Sequence, residues 1–116
     1  MKYLCLIYGD ETLRLHTTPE AQASVSAQYR TYTEGIMASG HLLGGEALHT
    51  SDLGKTVRTN AGTVSATDGP YAETKEQLGG YYLVEARDLN EAIQLAAGIP
   101  GAQFGSIEVR PVADMA

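Results

Sequence analysis

Three side chains capable of acid/base chemistry lie within eight residues of one another, at Asp68, Glu73 and Lys75. A carboxylate that is removed from water has a raised pKa and can act as a general base near neutral pH. An ammonium group close to it can stabilise an enolate-like oxygen. This spacing predicts a cleft for a small oxygenated molecule, with Asp68 or Glu73 as the catalytic base and Lys75 as a ligand-binding residue.

Each of these residues also has an ordinary structural alternative. Asp68 opens the sequence Asp-Gly-Pro, in which an aspartate carboxylate commonly accepts hydrogen bonds from the backbone N–H groups of a turn. Lys75 is equally suited to a solvated surface. The residue types therefore support either a catalytic loop or a well-formed turn.

Further candidate ligand contacts come from two other parts of the chain. Glu46 follows Gly44 and Gly45, where a backbone without side chains allows a ligand to approach, or where a bulge lets a sheet curl. Tyr29 belongs to the inward face of a predicted helix. Gly45, Glu46 and Tyr29 therefore join Lys75 as predicted ligand-binding residues.

Several classes of site are not expected. His16, His41 and His49 match no metal-ligand spacing, and the chain has no nucleophile elbow and no phosphate-binding glycine loop. Cys5, the single cysteine, lies in an apolar run and is expected to be a small buried hydrophobic residue. The sequence predicts neither a metal nor a cofactor.

Composition favours one domain over residues 1–116. Eight basic and fourteen acidic side chains give a net charge of −6 without any Lys/Arg cluster, so direct binding to nucleic acid is not expected. The apolar run at the start is too short for a signal peptide or a membrane span. We expect a cytoplasmic protein that binds no membrane.

Apolar spacing and turn residues predict the elements that must position these candidates. Thr18 and Pro19 are typical of the start of a helix, which would run to Ser39-Gly40. Asp88 and Glu91 have the spacing of a capping box and would open a second helix. The predicted strands cover residues 2–8, 41–48, 56–59, 63–67, 81–86 and 106–112.

The segment from residue 71 to residue 77, which precedes the strand at residues 81–86, is predicted to contain one helical turn. Glu73 and Gln77 are four residues apart, so such a turn would place both on one side, with Lys75 pointing elsewhere. Gly79 and Gly80 would then precede the next strand. This prediction determines which side chains of the region could converge.

The order of elements predicts an α+β fold of the ferredoxin-like kind, βαββαβ, with an inserted β-hairpin at residues 56–67. Both helices would cover one face of an antiparallel sheet, and apolar residues on the other face would be exposed. Two copies that pair sheet to sheet about a two-fold axis would form a dimeric α/β barrel. Loops folding over the open face of a monomer are the alternative.

The segment from Asp68 to Tyr82, DGPYAETKEQLGGYY, resembles the signature of the DGPF branch of the YCII-related proteins. Residues 1–11, 44–46 and 106–112 are also similar to that branch, so the resemblance covers essentially the whole chain. Tyr71 stands where the motif that names the branch has phenylalanine.

The resemblance implies a ferredoxin-like protomer, a dimeric α/β barrel and a cleft between helices and sheet that is suspected of holding an active site. Members of the branch are commonly encoded beside, or fused to, sigma factors of the extracytoplasmic-function type. The wider group is suspected of acid/base chemistry by a histidine on the first helix and an aspartate. The first helix predicted here has no histidine and carries Tyr29 and Tyr32 inward, which counts against that mechanism.

Two functions follow as hypotheses. The first is a cofactor-free lyase or isomerase that uses Asp68 or Glu73 as base on a small molecule. The second is a non-catalytic binding or accessory protein that senses a metabolite or contacts a sigma factor of the extracytoplasmic-function type. Both would act as homodimers.

Overall fold

The computed structural model describes residues 1–114. Its strands are β1 (Lys2–Gly9), β2 (Leu42–Ala47), β3 (Lys55–Asn60), β4 (Thr63–Asp68), β5 (Gln77–Glu85) and β6 (Ser106–Pro111). Its α-helices are α1 (Glu11–Leu15), α2 (Pro19–Ala38) and α3 (Leu89–Ala97), and 3-10 turns cover Ser51–Leu53 and Pro100–Gln103. No helix among the described residues is long and apolar enough to cross a membrane.

Four strands form an antiparallel sheet in the order β2-β5-β1-β6. β3 and β4 pair only with each other in a second, two-stranded sheet. Ile36 of α2 and Ala92 of α3 are buried in the same core as Cys5 and Val84 of the central strands. The helices thus cover one face of the four-stranded sheet, and the α+β architecture is compatible with the ferredoxin-like prediction.

The local signals that predicted α2 are the ones that build it. The Thr18 hydroxyl accepts a hydrogen bond from the Ala21 N–H at 3.1 Å, and Pro19 occupies the first helical position. Just beyond the helix end, Gly40 has a φ of +81°, the left-handed conformation that glycine adopts without strain. The boundaries predicted for this helix are confirmed.

The start of α3 also follows its prediction. The Asp88 carboxylate accepts from the Glu91 N–H at 2.9 Å. The Glu91 carboxylate reaches back to the N–H of Arg87, one residue earlier than in the usual capping box, at 3.0 Å. The spacing of two acidic residues was therefore sufficient to locate this helix.

Two local features differ from the sequence-based expectation. The predicted helical turn over residues 71–77 is wrong: this segment consists of bends, and β5 begins at Gln77, so Gly79 and Gly80 lie inside a strand. Conversely, the five-residue helix α1 was not predicted. Asp10 caps it by accepting from the Thr12 N–H at 2.9 Å.

The uncovered face of the four-stranded sheet carries an apolar centre. Strand register puts the following side chains there, all partly buried, and we call them the open sheet face: Leu4, Leu6, Tyr8, Tyr81 and Leu83. Arg110 pairs with Glu108 at its rim, on the same side of β6. The protomer is only 19 Å thick along its shortest axis, as expected when one layer of helices covers one sheet.

Candidate functional site

A cleft of about 330 Å³ lies between the base of the β3–β4 hairpin, the 3-10 turn Ser51–Leu53 and the loop that leads into β5. The residues lining it are Ser51, Asp52, Asp68, Gly69, Pro70, Ala72, Glu73, Thr74 and Gln77. Both predicted catalytic residues, Asp68 and Glu73, are among them. The cleft is open to solvent.

Two side chains join the separate segments that form this cleft. The Glu11 carboxylate accepts hydrogen bonds from the Ser51 N–H at 2.6 Å and from the Ser51 hydroxyl at 2.8 Å. Gln77 accepts from the Glu11 N–H at 3.0 Å and donates to the Thr74 carbonyl at 2.6 Å. The start of α1, the 3-10 turn and the loop before β5 are therefore connected through Glu11 and Gln77.

Asp68 differs from both of its sequence-based alternatives. Its carboxylate forms an ion pair with Lys55, the residue opposite it across the hairpin. Its side chain is 86% exposed. The carboxylate is therefore exposed in the protomer, and it contacts the lysine across the β3–β4 pair instead of capping the backbone of its own turn.

Glu73 and Lys75 lie on the same loop but are not equivalent. Both are exposed, and only Glu73 lines the cleft. Hydrogen bonds from Thr12 lower the pKa of Asp10, and the charge of Lys75 lowers it further. The Lys75 ammonium therefore acts electrostatically at the start of α1.

Tyr29 is a residue of α2 and does not line the cleft. Its phenol oxygen accepts a hydrogen bond from the Gly101 N–H at 3.1 Å. Burial raises the pKa of Tyr29, although the hydrogen bond from Gly101 opposes that rise. The side chain ties α2 to the 3-10 turn at Pro100–Gln103 and is separated from Asp68 and Glu73.

Gly45 and Glu46 also lie elsewhere, on β2. A Cβ atom at Gly45 would lie 2.8 Å from the Tyr81 carbonyl oxygen and 2.9 Å from a ring carbon of Tyr82. The absence of a side chain at Gly45 therefore allows β2 to lie close to Tyr81 and Tyr82 of β5. Glu46 pairs with Tyr81 and projects on the side of the open sheet face. The bulge expected near the two glycines is present as a register shift between Leu42 and Gly44.

A third cluster, which the sequence did not suggest, joins the end of α2 to the start of α3. The Ser39 hydroxyl lies 2.7 Å from the His41 Nδ1, and the His41 Nε2 lies 3.3 Å from a Glu91 carboxylate oxygen. The hydrogen bond from the Arg87 N–H lowers the pKa of Glu91, and the charges of Arg87 and His41 lower it further. A serine, a histidine and a carboxylate are thus in sequential contact.

This cluster lacks the remaining part of a nucleophilic site. A serine nucleophile needs free backbone N–H groups that stabilise the oxyanion of the intermediate. Here the N–H groups next to Ser39 are bonded, Gly40 to the Met37 carbonyl at 3.1 Å and His41 to the Ile36 carbonyl at 3.0 Å. The Ser39 site therefore connects two helix ends and offers no oxyanion hole.

The cleft beside Asp68 combines side chains from three segments of the chain. Its walls supply hydroxyl groups and the carboxylates of Asp52, Asp68 and Glu73, which accept hydrogen bonds from hydroxyl or amino groups. Within residues 1–114, no group of three or more histidine, cysteine or acidic side chains is arranged to hold a metal ion.

Comparison with known proteins gives one family. A model of the YCII-related domain matches residues 1–116. A protein described as "Uncharacterized protein R00369", from Rhizobium meliloti (strain 1021), is 38% identical over 115 residues, which are 97% of this chain and 93% of that protein. The similarity therefore extends along nearly the full length of both chains.

Proposed function

Because the chain belongs to the YCII-related family, we propose that it binds a small polar molecule in the cleft lined by Asp68 and Glu73. The observation that carries this proposal is the connection of the cleft's segments through Glu11 and Gln77. The 3-10 turn and the loop before β5 are thus held together before binding, which reduces the conformational entropy lost when the ligand arrives.

The lining chemistry supports a ligand with several hydrogen-bond donors. An ionised carboxylate accepts hydrogen bonds and donates none. Asp68 and Glu73 together supply four such acceptor oxygens. A hydroxylated or amino-bearing metabolite matches this set. No cofactor is part of the proposal.

Acid/base chemistry of the lyase or isomerase type is the enzymatic form of the same proposal. Asp68 or Glu73 would act as the base. Both carboxylates are exposed in the single protomer, so this role requires a bound ligand or a partner protomer to exclude water from one of them. The alternative, an accessory protein linked to an extracytoplasmic-function sigma factor, stays a prediction, as does membership of the DGPF branch.

We further propose that the functional unit is a cytoplasmic homodimer, formed by the open sheet faces of two protomers as a dimeric α/β barrel, with the β3–β4 hairpin as the insertion in each ferredoxin-like protomer. The partly exposed Leu6 and Tyr81 support this proposal because pairing would remove them from water.

Ligand-observed NMR with a library of small hydroxylated and amino compounds tests the binding proposal. We expect hits that compete with one another and that are lost in Asp68→Asn and in Glu73→Gln. Glu34→Gln, an exposed carboxylate on α2, is the matched control and should bind as the unaltered protein does. Hits that persist in both cleft variants would place the ligand elsewhere and overturn the assignment.

A further inference from the structure

The hairpin formed by β3 and β4, which we call the arm, has little packing of its own. All twelve residues of the two strands are exposed except Thr56, which is partly buried. At its base, the Thr56 hydroxyl donates to the Gly69 carbonyl at 2.9 Å, and the Gly69 N–H donates to the Gly54 carbonyl at 2.8 Å. An isolated two-stranded hairpin is marginally stable at best in water, so the arm needs a surface to pack against.

The two faces of the arm differ in polarity. Cross-strand pairing puts Val57 opposite Ala66 and Thr59 opposite Val64 on one face, which also carries the Lys55–Asp68 ion pair at the base of the arm. The opposite face carries the polar residues Thr56, Arg58, Asn60, Thr63, Ser65 and Thr67. Val57 and Val64 are 62% and 66% exposed, so the face that would normally be covered is uncovered in the protomer.

The accessible surface area of the protomer is larger than expected for a compact monomer of its mass. The chain exposes 8175 Å², whereas a compact monomer of this mass exposes about 6,100 Å². The difference of about 2,000 Å² is more than twice the roughly 800 Å² that each partner contributes to an ordinary protein interface. An excess of this size leaves room for a second contact beside the open sheet face.

We propose that the Val57–Val64 face of the arm packs on a second copy of this chain, so that each protomer of a dimer holds its partner with its arm. This proposal rests on the homodimer proposed above and adds a second contact to it. Isologous dimers use the same patch twice, which gives both arms the same role.

Docking of the arm also affects the cleft. Asp68 is the last residue of β4 and Gly69 follows it, and both line the cleft. Lys55 at the start of β3 holds the Asp68 carboxylate across the arm's base. An arm fixed on the partner therefore fixes one wall of the ligand site, and dimer formation and ligand binding become linked.

Sedimentation equilibrium of the full chain, without any ligand, tests the proposal over a wide range of protein concentrations. The double variant Val57→Thr/Val64→Thr keeps shape and β-branching but makes the face polar. We expect its dimer dissociation constant to rise about tenfold or more. The matched control, Thr63→Val/Ser65→Ala on the opposite face, should stay within about twofold of the unaltered chain.

Amide hydrogen exchange in the unaltered chain separates docking from a simple loss of arm structure in the variant. Arm amides should exchange slowly where the dimer dominates and quickly after dilution to monomer. An unchanged dimer dissociation constant in Val57→Thr/Val64→Thr would overturn the proposal. Arm amides that exchange equally fast in dimer and monomer would also overturn it. Because the readouts involve no ligand, failure here leaves the ligand-binding proposal standing. Conversely, NMR hits that persist in both cleft variants would overturn the binding proposal and leave this one standing.

Discussion

The Glu11 carboxylate holds Ser51 through two hydrogen bonds, to the backbone N–H at 2.6 Å and to the hydroxyl at 2.8 Å, across forty residues of sequence. Ser51 begins a 3-10 turn, so Glu11 satisfies a backbone donor that the turn itself leaves free. This contact connects the start of α1 with one wall of the cleft.

Glu11→Ala should therefore loosen the cleft wall. Hydrogen bonds to a charged group contribute more than neutral ones, and we expect the free energy of unfolding to fall by about 1.5–3 kcal/mol. Amide exchange at residues 51–53 should accelerate, which native-state exchange measures. Glu34→Ala on the exposed face of α2 is the control. Equal exchange rates at residues 51–53 in both variants would contradict the role assigned to Glu11.

Replacing Gly35 or Gly101 with alanine should change the free energy of unfolding in opposite directions. A Cβ at Gly35 meets no atom within 4 Å, and the residue lies inside α2. Gly35→Ala should therefore raise the free energy of unfolding by about 0.5–1 kcal/mol. A Cβ at Gly101 would lie 2.6 Å from the Tyr29 phenol oxygen, so Gly101→Ala should lower it by about 1–3 kcal/mol.

The cause of the Gly101 effect can be isolated by removing the oxygen it would meet. Combined with Tyr29→Phe, Gly101→Ala should lower the free energy of unfolding by clearly less than it does alone. Urea denaturation of the four proteins of this double-mutant cycle measures the coupling. Strict additivity would mean that the clash with the Tyr29 phenol is not the reason for the glycine.

Ionised Glu91 should contribute to the free energy of unfolding, and this contribution should be lost in acid. The folded state lowers the pKa of this carboxyl, mainly through the Arg87 N–H, with the Arg87 guanidinium and His41 as further causes. The stabilisation is fully present above the ordinary value of 4.5 and is lost as pH falls through the lower, folded-state pKa.

Denaturant unfolding from neutral pH down to about pH 3 checks this prediction. In Glu91→Gln the decline of the free energy of unfolding below the ordinary glutamate value should be shallower than in the unaltered chain. Glu34→Gln serves as the exposed control and should keep the original slope. Identical slopes for Glu91→Gln and the unaltered chain would show that Glu91 does not carry this acid sensitivity.

The proposed sheet-to-sheet dimer predicts sensitivity at the centre of the open sheet face. Leu6→Asn puts an amide where the partner sheet would pack, and it should shift the protein towards monomer by at least about tenfold in dissociation constant. Met37→Gln, on the exposed side of α2, changes a similarly large side chain away from that face and should leave the dimer intact. Analytical ultracentrifugation measures both. A Leu6→Asn dimer of unaltered affinity would remove this face from the interface.

Elements with a local chemical signal were predictable from the sequence, and those that depend on distant partners were not. Thr18 with Pro19, and Asp88 with Glu91, define helix starts through contacts within four residues. Gln77, by contrast, is fixed by Glu11, sixty-six residues away, so its loop follows a tertiary contact and not the helical spacing of Glu73 and Gln77.

The candidate site shows the same division. The sequence brought Asp68 and Glu73 together because they share one loop, and both line the cleft. It placed Tyr29, Gly45 and Glu46 at the same site, but Tyr29 packs on the 3-10 turn Pro100–Gln103 and Gly45 packs on β5. No local pattern encodes these tertiary contacts. The pairing of Asp68 with Lys55 follows from strand register, which side-chain type alone does not reveal.

The close contact between β2 and β5 has a consequence for aggregation. Gly45 faces the Tyr81 carbonyl and Tyr82, and a Cβ at Gly80 would lie 2.9 Å from the Glu46 carbonyl oxygen. Each strand thus depends on a glycine in the other half of the pair, and β2 is the outermost strand of its sheet. A larger residue at either position would detach β2 and uncover the ladder edge of β5, which is a template for intermolecular strand pairing. We therefore expect these two glycines to limit intermolecular strand pairing at the edge of β5.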